Sequence, residues 1–358
     1  MKVVLIGVGQ AGGKVTQRLA EFDDQMGFGA IRGAFAVNTA KADLQSLAID
    51  TMLIGQDRVK GHGVGGDNEL GAQIMQDEAT EVMDMLDGRV TTEAEAVVIV
   101  AGLGGGTGSG GSPALAKELK RVYDIPVYVL GILPGRNEGA LYQVNAGRSL
   151  KTVIRESDSA ILIDNDAWRT SDETVEEGFD NINQQIAQRV GLLFAAGEVV
   201  DGVGESVVDS SEIINTLRNG GIASLGYASA EASEEAGDNV NAITSTTRKS
   251  LLTSMSLPNA VTAEAALLVI AGQPERISRK GVERARKWVE EETGSLQVRG
   301  GDFPLDSERL AALVLLGGVE RSKRVQEFMQ RAADAQADAE EREDPAEQFG
   351  NDQLDDLM

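Results

Sequence analysis

The stretch that decides the fold is Ala101-Gly102-Leu103-Gly104-Gly105-Gly106-Thr107-Gly108-Ser109-Gly110-Gly111-Ser112. It follows the apolar run 96–100 and precedes a helix-like segment that begins at Pro113, a residue suited to a first helical turn. This order of strand, glycine loop and helix predicts a phosphate site, because glycines allow close backbone approach and the first N–H groups of a helix lack internal partners. No lysine follows, so the loop is not a Walker A motif. A glycine-rich linker is the alternative, but linkers are not enclosed between a strand and a helix.

Two further glycine turns occupy equivalent places. Residues 7–13 lie between a β-branched run at 2–6 and a helical pattern at 14–22, and residues 61–67 lie between a strand at 51–54 and a helical pattern at 68–86. The first turn has the G-x-G-x-x-G spacing of dinucleotide folds, but the next strand, 33–37, ends in Asn38, where such folds place an acidic residue. In an open α/β sheet the carboxyl ends of the strands share one edge, so the three turns are predicted to line one crevice.

Polar side chains follow two more predicted strands. Strand 125–133 leads to Glu138, and strand 159–163 leads to Asn165 between two aspartates, so an amide and carboxylates are available to a base or a ribose. A helical pattern at 174–194 is long enough to cross the core, and it places Phe179 and Asn183 one turn apart. Core packing alone would also explain Phe179.

The remainder of the chain has a different character. Asp209 and Glu212 precede a short helical pattern, where an acidic pair is usually a helix cap. From residue 222 longer mixed elements without glycine loops predict a smaller α+β domain. Residues 332–358 are acidic and predicted to be disordered, either as a solubilising tail or as a docking peptide that uses Leu354, Leu357 and Met358.

Composition limits the partners and the compartment. The chain has 358 residues, 42% of them apolar, and a net charge of −24, which argues against nucleic acid and against anionic membranes. Arginine outnumbers lysine by 22 to 11, and such acidic, lysine-poor surfaces are typical of high-salt cytoplasm. No cysteine is present, no secretory signal fits before the first strand, and the apolar stretches are too short for a bilayer. We therefore expect a cytoplasmic protein without integral membrane contact.

The glycine loop also carries a family resemblance. The residues Gly104-Gly105-Gly106-Thr107-Gly108-Ser109-Gly110 resemble the G-G-G-T-G-[ST]-G signature of the tubulin and FtsZ superfamily, and the order of the other motifs matches over about residues 2–320. The chain is most similar to the archaeal CetZ group, cytoskeletal GTPases concerned with cell shape. The resemblance implies a Rossmann-like GTPase domain with a parallel sheet (1–196, including a long core helix from about 174), a synergy loop with the following helix (197–221), a C-terminal α+β domain (222–331) and the tail.

The resemblance also implies a set of sites. Asn38 resembles the second phosphate loop, Glu138 the ribose-binding acid, Phe179 the aromatic residue that stacks on the base, and Asn165 and Asn183 the amides that read guanine. The glycine-rich loops would bind the phosphates of GTP or GDP through Gly9, Gln10, Ala11, Gly65, Gly66, Gly104, Gly105, Gly106, Thr107, Gly108 and Ser109. Two residues depart from the FtsZ pattern, because Lys14 replaces an asparagine and Tyr142 replaces an arginine.

Catalysis in this family implies assembly. Asp209 and Glu212 resemble the acidic pair of the synergy loop, which enters the nucleotide pocket of the next subunit in a head-to-tail homopolymer. The expected chemistry is Mg²⁺-assisted attack of water on the γ-phosphoryl group. Three alternatives remain at this stage: a monomeric nicotinamide-nucleotide oxidoreductase, a cell-division FtsZ, and a scaffold that binds nucleotide without hydrolysis.

Overall fold

The computed structural model describes residues 1–90, 92–168, 175–198 and 208–341, and the structural statements below concern these residues. Their strands form one ten-stranded sheet of order β3-β2-β1-β4-β5-β6-β7-β10-β8-β9. The strands are β1 (Val3–Val8), β2 (Ile31–Asn38), β3 (Asp50–Leu53), β4 (Ala96–Gly102), β5 (Val127–Leu133), β6 (Ser159–Asp164), β7 (Ile222–Glu231), β8 (Ala263–Gly272), β9 (Gln297–Pro304) and β10 (Arg309–Val319).

Helices cover both faces of the sheet. They are α1 (Gly9–Met26), α2 (Lys41–Gln45), α3 (Gln56–Val59), α4 (Asn68–Asp77), α5 (Ala79–Met85), α6 (Gly106–Val122), α7 (Ala140–Glu156), α8 (Val175–Ala196), α9 (Ser210–Leu217), α10 (Val240–Thr253), α11 (Arg279–Thr293) and α12 (Lys323–Glu341). Apolar residues of α1, α8 and α9 pack on one face, and those of α4 to α7 and α10 to α12 pack on the other. Within the described ranges, every helix is too short or too polar to span a membrane.

Strand direction divides the sheet in two. The six strands from β3 to β6 are parallel, and the four central ones, β1, β4, β5 and β6, are buried on both faces. By contrast, β10 pairs antiparallel with β7 and with β8. The halves meet where β6 and β7 pair over two residues on each strand. This confirms a Rossmann-like half, a long core helix and a smaller C-terminal half with mixed strands.

The start of α6 differs from the prediction. The helix begins at Gly106, so Pro113 lies inside it rather than in its first turn. Proline cannot donate to the carbonyl four residues earlier, and the hydroxyl of Ser149 on α7 donates to that carbonyl, on Ser109, over 2.7 Å. Seven residues of the glycine-rich stretch 101–112 are therefore helical despite their low helix propensity, because tertiary packing outweighs it.

The C-terminal segment also differs from its prediction. Disorder was expected from residue 332, but α12 continues to Glu341, and Ala332 is buried against α7. Residues 332–341 are rich in alanine and glutamate, which favour helix, so their acidity does not prevent helix formation. Residues 342–358, including the three proposed docking residues, lie outside the described part of the chain.

Candidate nucleotide site

The centre of the site is the junction of two helix N-termini. Because β1 and β4 are adjacent and parallel, α1 and α6 begin side by side, and a Cβ on Gly9 would lie 3.0 Å from the backbone nitrogen of Gly108. Neither helix has a side-chain cap or an acidic residue in its first turn. By contrast, Asp67 caps α4 and Asp209 caps α9. Two uncapped N-termini at one point give the arrangement of N–H groups and dipoles that binds phosphate.

The glycines in this junction have two different roles. A Cβ on Gly108 would lie 2.5 Å from the carbonyl oxygen of Gly102, so Gly108 allows α6 to pack against β4. A Cβ on Gly105 would meet nothing within 4 Å, and a Cβ on Gly65 would also point into open space. Gly105 and Gly65 therefore leave room for a ligand.

The loops that contain Asn38 and Gly66 adjoin α6. At the end of β2, the Asn38 side chain accepts from the backbone of Thr39 over 2.8 Å and donates to Asp43 over 3.0 Å. The Thr39 hydroxyl contacts that of Thr107 at 2.7 Å. The loop with Gly66 reaches the same region, because the Asn145 amide donates to the carbonyls of Gly66 at 2.8 Å and Gly104 at 3.0 Å.

Glu138 and Asn165, a predicted ribose group and a predicted base group, lie together beyond the ends of β5 and β6. One carboxylate oxygen of Glu138 accepts from the backbone of Gly135 over 2.8 Å and from the Asn165 amide over 3.3 Å. Phe179 and Asn183 lie one turn apart on α8. Phe179 is 41% exposed, so core packing does not account for it. Gln10, Ala11 and Lys14 are exposed at the start of α1, and Tyr142 is exposed at the start of α7.

The Asp209 and Glu212 pair is at the opposite edge of the sheet. The hydroxyl of Ser210, between them, bonds to Glu95, which immediately precedes β4 and also accepts from the backbone of Lys2 over 2.7 Å. β4 has seven residues, so the two edges are separated by about 20 Å. These carboxylates therefore cannot reach the crevice of their own subunit.

Asp209 and Glu212 form a capping box. One Asp209 oxygen accepts from the backbone of Ser211 at 2.8 Å and of Glu212 at 3.2 Å. Bonds from the Ser211 hydroxyl and these backbone groups lower the pKa of Asp209. Burial raises the pKa of Glu212, as does the Asp209 charge, and a hydrogen bond from the Asp209 backbone offsets part of that shift. The predicted helix cap is therefore present. The surroundings of Glu212 nevertheless disfavour its ionised form.

Two site features were missed by the sequence argument. Asn145 ties two loops together and is buried on the inner face of α7, beside Ser149 and Leu150. A polar residue on the apolar stripe of a helix was the available signal. Arg324 of α12 contacts the ends of β5 and β6, and no local pattern indicates a contact over 160 residues.

Comparison with known proteins agrees with the fold. The model of the Tubulin/FtsZ family GTPase domain matches residues 2–172, and the model of the tubulin-like CetZ C-terminal domain matches residues 172–334. Tubulin-like protein CetZ2 of Haloferax volcanii is 69% identical over 360 residues, with 100% of each chain covered. CetZ1 of the same organism is 50% identical, with 95% of this chain and 94% of that protein covered.

Solved structures show the same relationship. CetZ2 of Haloferax volcanii, in a protofilament with GTPγS, superposes with a TM-score of 0.91 over 95% of this chain and 100% of that chain. CetZ1 of that organism, a GDP-bound monomer, gives 0.87 over 94% and 100%. An FtsZ of M. jannaschii shares only 21% identity and shows the fold alone, with a TM-score of 0.71 over 89% of this chain and 88% of that chain. The chain belongs to the tubulin/FtsZ family, within its CetZ group.

Proposed function

We propose that this protein is a cytoplasmic cytoskeletal GTPase that polymerises head to tail into protofilaments, hydrolyses GTP between subunits and acts in the control of cell shape. The observation that carries the proposal is the distance between the two halves of the site. Uncapped helix N-termini lie at one edge of the sheet, and the acidic pair lies at the other, about 20 Å away. Stacking of subunits would bring one edge against the other.

The chain's own groups have distinct roles in this proposal. N–H groups at the starts of α1 and α6, with the hydroxyls of Thr107 and Ser109, bind the phosphates and stabilise charge that develops on the γ-phosphoryl group. Glu138 binds the ribose, Asn165 and Asn183 read guanine, and Phe179 stacks on the base. Asp209 and Glu212 of the neighbouring subunit orient the attacking water.

The protein is expected to supply few of the ligands of a bound Mg²⁺ ion. Across the described ranges, no group of three or more His, Cys, Asp or Glu side chains comes together to hold a metal. This fits Mg²⁺, which commonly binds substrate phosphates and water with few protein ligands. When bound beside the phosphates at the starts of α1 and α6, Mg²⁺ would neutralise part of the charge on the reacting phosphoryl group.

The relatives support the assembly. The CetZ2 structure is a GTPγS-bound protofilament, and the CetZ1 structure is a GDP-bound monomer. The family match excludes the oxidoreductase alternative, and Asn38 at the end of β2 leaves that alternative without its ribose-binding acid. Proteins that dock on the tail remain a prediction from its composition.

Two measurements test the proposal. Titration should show saturable binding of GTP and GDP and none of NAD(H) or NADP(H). Phosphate release per subunit should then rise with protein concentration, because the active site forms only between neighbours. Turnover per subunit that stays constant from dilute monomer to assembled protein would refute a shared site, and binding of nicotinamide nucleotides alone would refute the proposal as a whole.

A further inference from the structure

Arg324 is a buried charged residue that the proposed chemistry does not use. Its side chain is 2% exposed, and its Nε atom lies 3.1 Å from the carboxylate of Asp164, which is fully buried. The guanidinium also donates to the carbonyl of Pro134 over 2.8 Å and lies over the ring of Phe328 at 4.3 Å. One side chain of α12 thus joins the ends of β5 and β6.

The partners of Arg324 immediately adjoin the predicted ribose and base groups. Asp164 directly precedes Asn165, and Pro134 begins the short loop that ends at Glu138. The loops are tied further, since Asp166 accepts from the backbone of Arg136 over 2.7 Å. Any shift of the guanidinium would therefore move both loops.

α12 holds the same region at a second point. Arg331 donates to the side chain of Gln143 over 2.9 Å, and Gln143 donates to the carbonyl of Gly135 over 2.6 Å. A Cβ on Gly147 of α7 would lie 2.2 Å from the carbonyl oxygen of Phe328, so α12 and α7 are in close backbone contact. Two arginines two turns apart thus connect one helix of the C-terminal half to the nucleotide edge.

We propose that Arg324 is a positioning residue for nucleotide recognition. It holds the loops that contain Glu138 and Asn165 in place, and it couples the packing of α12 to the recognition of ribose and base. The inference rests on the proposed function, because only a nucleotide gives these two side chains a ligand. A buried guanidinium suits this role, since its planar donors can engage a carboxylate and a carbonyl together. By thermodynamic linkage, a nucleotide that contacts these loops must in turn stabilise the contact with α12.

The test uses three nucleotides that differ only at the positions read by these loops. GDP, 2′-deoxy-GDP and ADP are titrated into the full chain and into Arg324→Lys, in which an ammonium cannot span both partners. We expect Arg324→Lys to lower GDP affinity by about tenfold and to reduce the preference for GDP over the other two, because misplaced groups lose oriented contacts. Lys323→Met, an exposed neighbour on α12, should behave as wild type.

A folding defect is controlled with a paired variant. Arg324→Met with Asp164→Asn leaves no unpaired buried charge, so it should fold while lacking the tie to Pro134, and it should show the same loss of preference. Unchanged ratios among the three nucleotides in both variants would overturn the inference, even if all affinities fell together. Equal binding of all three by the wild type would also overturn it, whereas a wild type that binds none contradicts the proposed function itself.

Discussion

At the scale of single residues, Gly105 and Gly108 separate nucleotide binding from folding. Gly105 has φ −75° and ψ 174°, which any residue adopts, and its Cβ would enter open space. Gly105→Val should therefore fold normally and lower GDP affinity by about tenfold or more, the equivalent of about 1.4 kcal/mol of lost contact. Calorimetric titration with a thermal unfolding scan measures both properties.

Gly108→Val is the matched comparison. Its side chain would meet the carbonyl of Gly102, so this variant should lose about 1–3 kcal/mol of unfolding free energy through overpacking. A folded Gly105→Val protein that binds GDP as tightly as wild type would exclude the glycine loop from the site.

Asp209 and Glu212 should affect stability in opposite directions. The lowered pKa of Asp209 means that its contribution is present above the ordinary value of 3.8 and is lost as pH falls through the folded pKa. The raised pKa of Glu212 means that the contribution of this residue to stability is fully present below pH 4.5, its ordinary pKa value. That contribution is lost as pH rises through the folded pKa. At neutral pH, Asp209→Ala should thus lose about 1 kcal/mol, whereas Glu212→Gln should be as stable as wild type or more stable.

Chemical denaturation of the isolated subunit at several pH values measures these differences. Glutamine is preferred to alanine at residue 212 because it retains the capping box while removing the charge. The difference between Glu212→Gln and wild type should vanish below about pH 4.5, where both side chains are neutral. A Glu212→Gln protein that is markedly less stable at neutral pH would show that the carboxylate serves the fold.

Some residues of the candidate site can be predicted from the sequence, and others cannot. The first two glycine loops, Glu138 and Asn165 could be predicted as site residues because each follows a strand, and parallel strands bring their carboxyl ends to one edge. Asn145 and Arg324 were not found, since each acts through a partner that is distant in the chain. The spacing of residues in the sequence can identify a side chain whose position is set by its own helix, strand or turn. It cannot identify a side chain that holds a distant element in place.

At the scale of elements, the sequence predicts existence and order better than boundaries. The six strands from β1 to β6 were each indicated by an apolar run. The start of α6 was misplaced by seven residues, because helix propensity does not include the close packing that stabilises a glycine-rich first turn. The end of α12 was predicted too early, because the prediction gave more weight to the acidic composition than to the alanines that favour a helix.

The segment after α12 offers a prediction at the same scale. Residues 342–358 hold six acidic residues and Arg342, a net charge of −5. Truncation after Glu341 should leave the melting temperature and GDP affinity unchanged and should favour assembly at low salt, because repulsion between subunits decreases. The effect should disappear near 1 M salt, where the Debye length is about 3 Å.

Light scattering across a salt series measures this effect. A full-length variant with those six acids replaced by their amides is the control, and it should assemble like the truncated chain. If truncation promotes assembly while neutralisation does not, charge is not the cause. A truncated chain with a lower melting temperature would show that the segment contributes to the fold.

At the scale of the whole molecule, the proposed function predicts that each subunit holds only part of an active site, with its two parts at opposite ends of the parallel strands. The uncapped N-termini of α1 and α6 and the acidic pair are separated by the length of β4, so under the proposed function polymerisation and hydrolysis become one process. Glu212→Gln should bind GTP and assemble, but its turnover per assembled subunit should fall by about 10²-fold, the effect of losing one positioned polar group. Its filaments should consequently persist.

The most direct test of a shared active site is phosphate release by a mixture of two impaired proteins, measured at a GTP concentration that leaves the Gly105→Val pocket largely empty. Glu212→Gln supplies an intact pocket, and Gly105→Val supplies an intact acidic pair, so a fraction of the mixed interfaces has both. We expect the mixture to hydrolyse GTP faster than the two proteins measured separately, with co-sedimentation to confirm mixed assembly. Phosphate release equal to the sum of the separate proteins, despite co-assembly, would contradict an active site formed between neighbouring subunits.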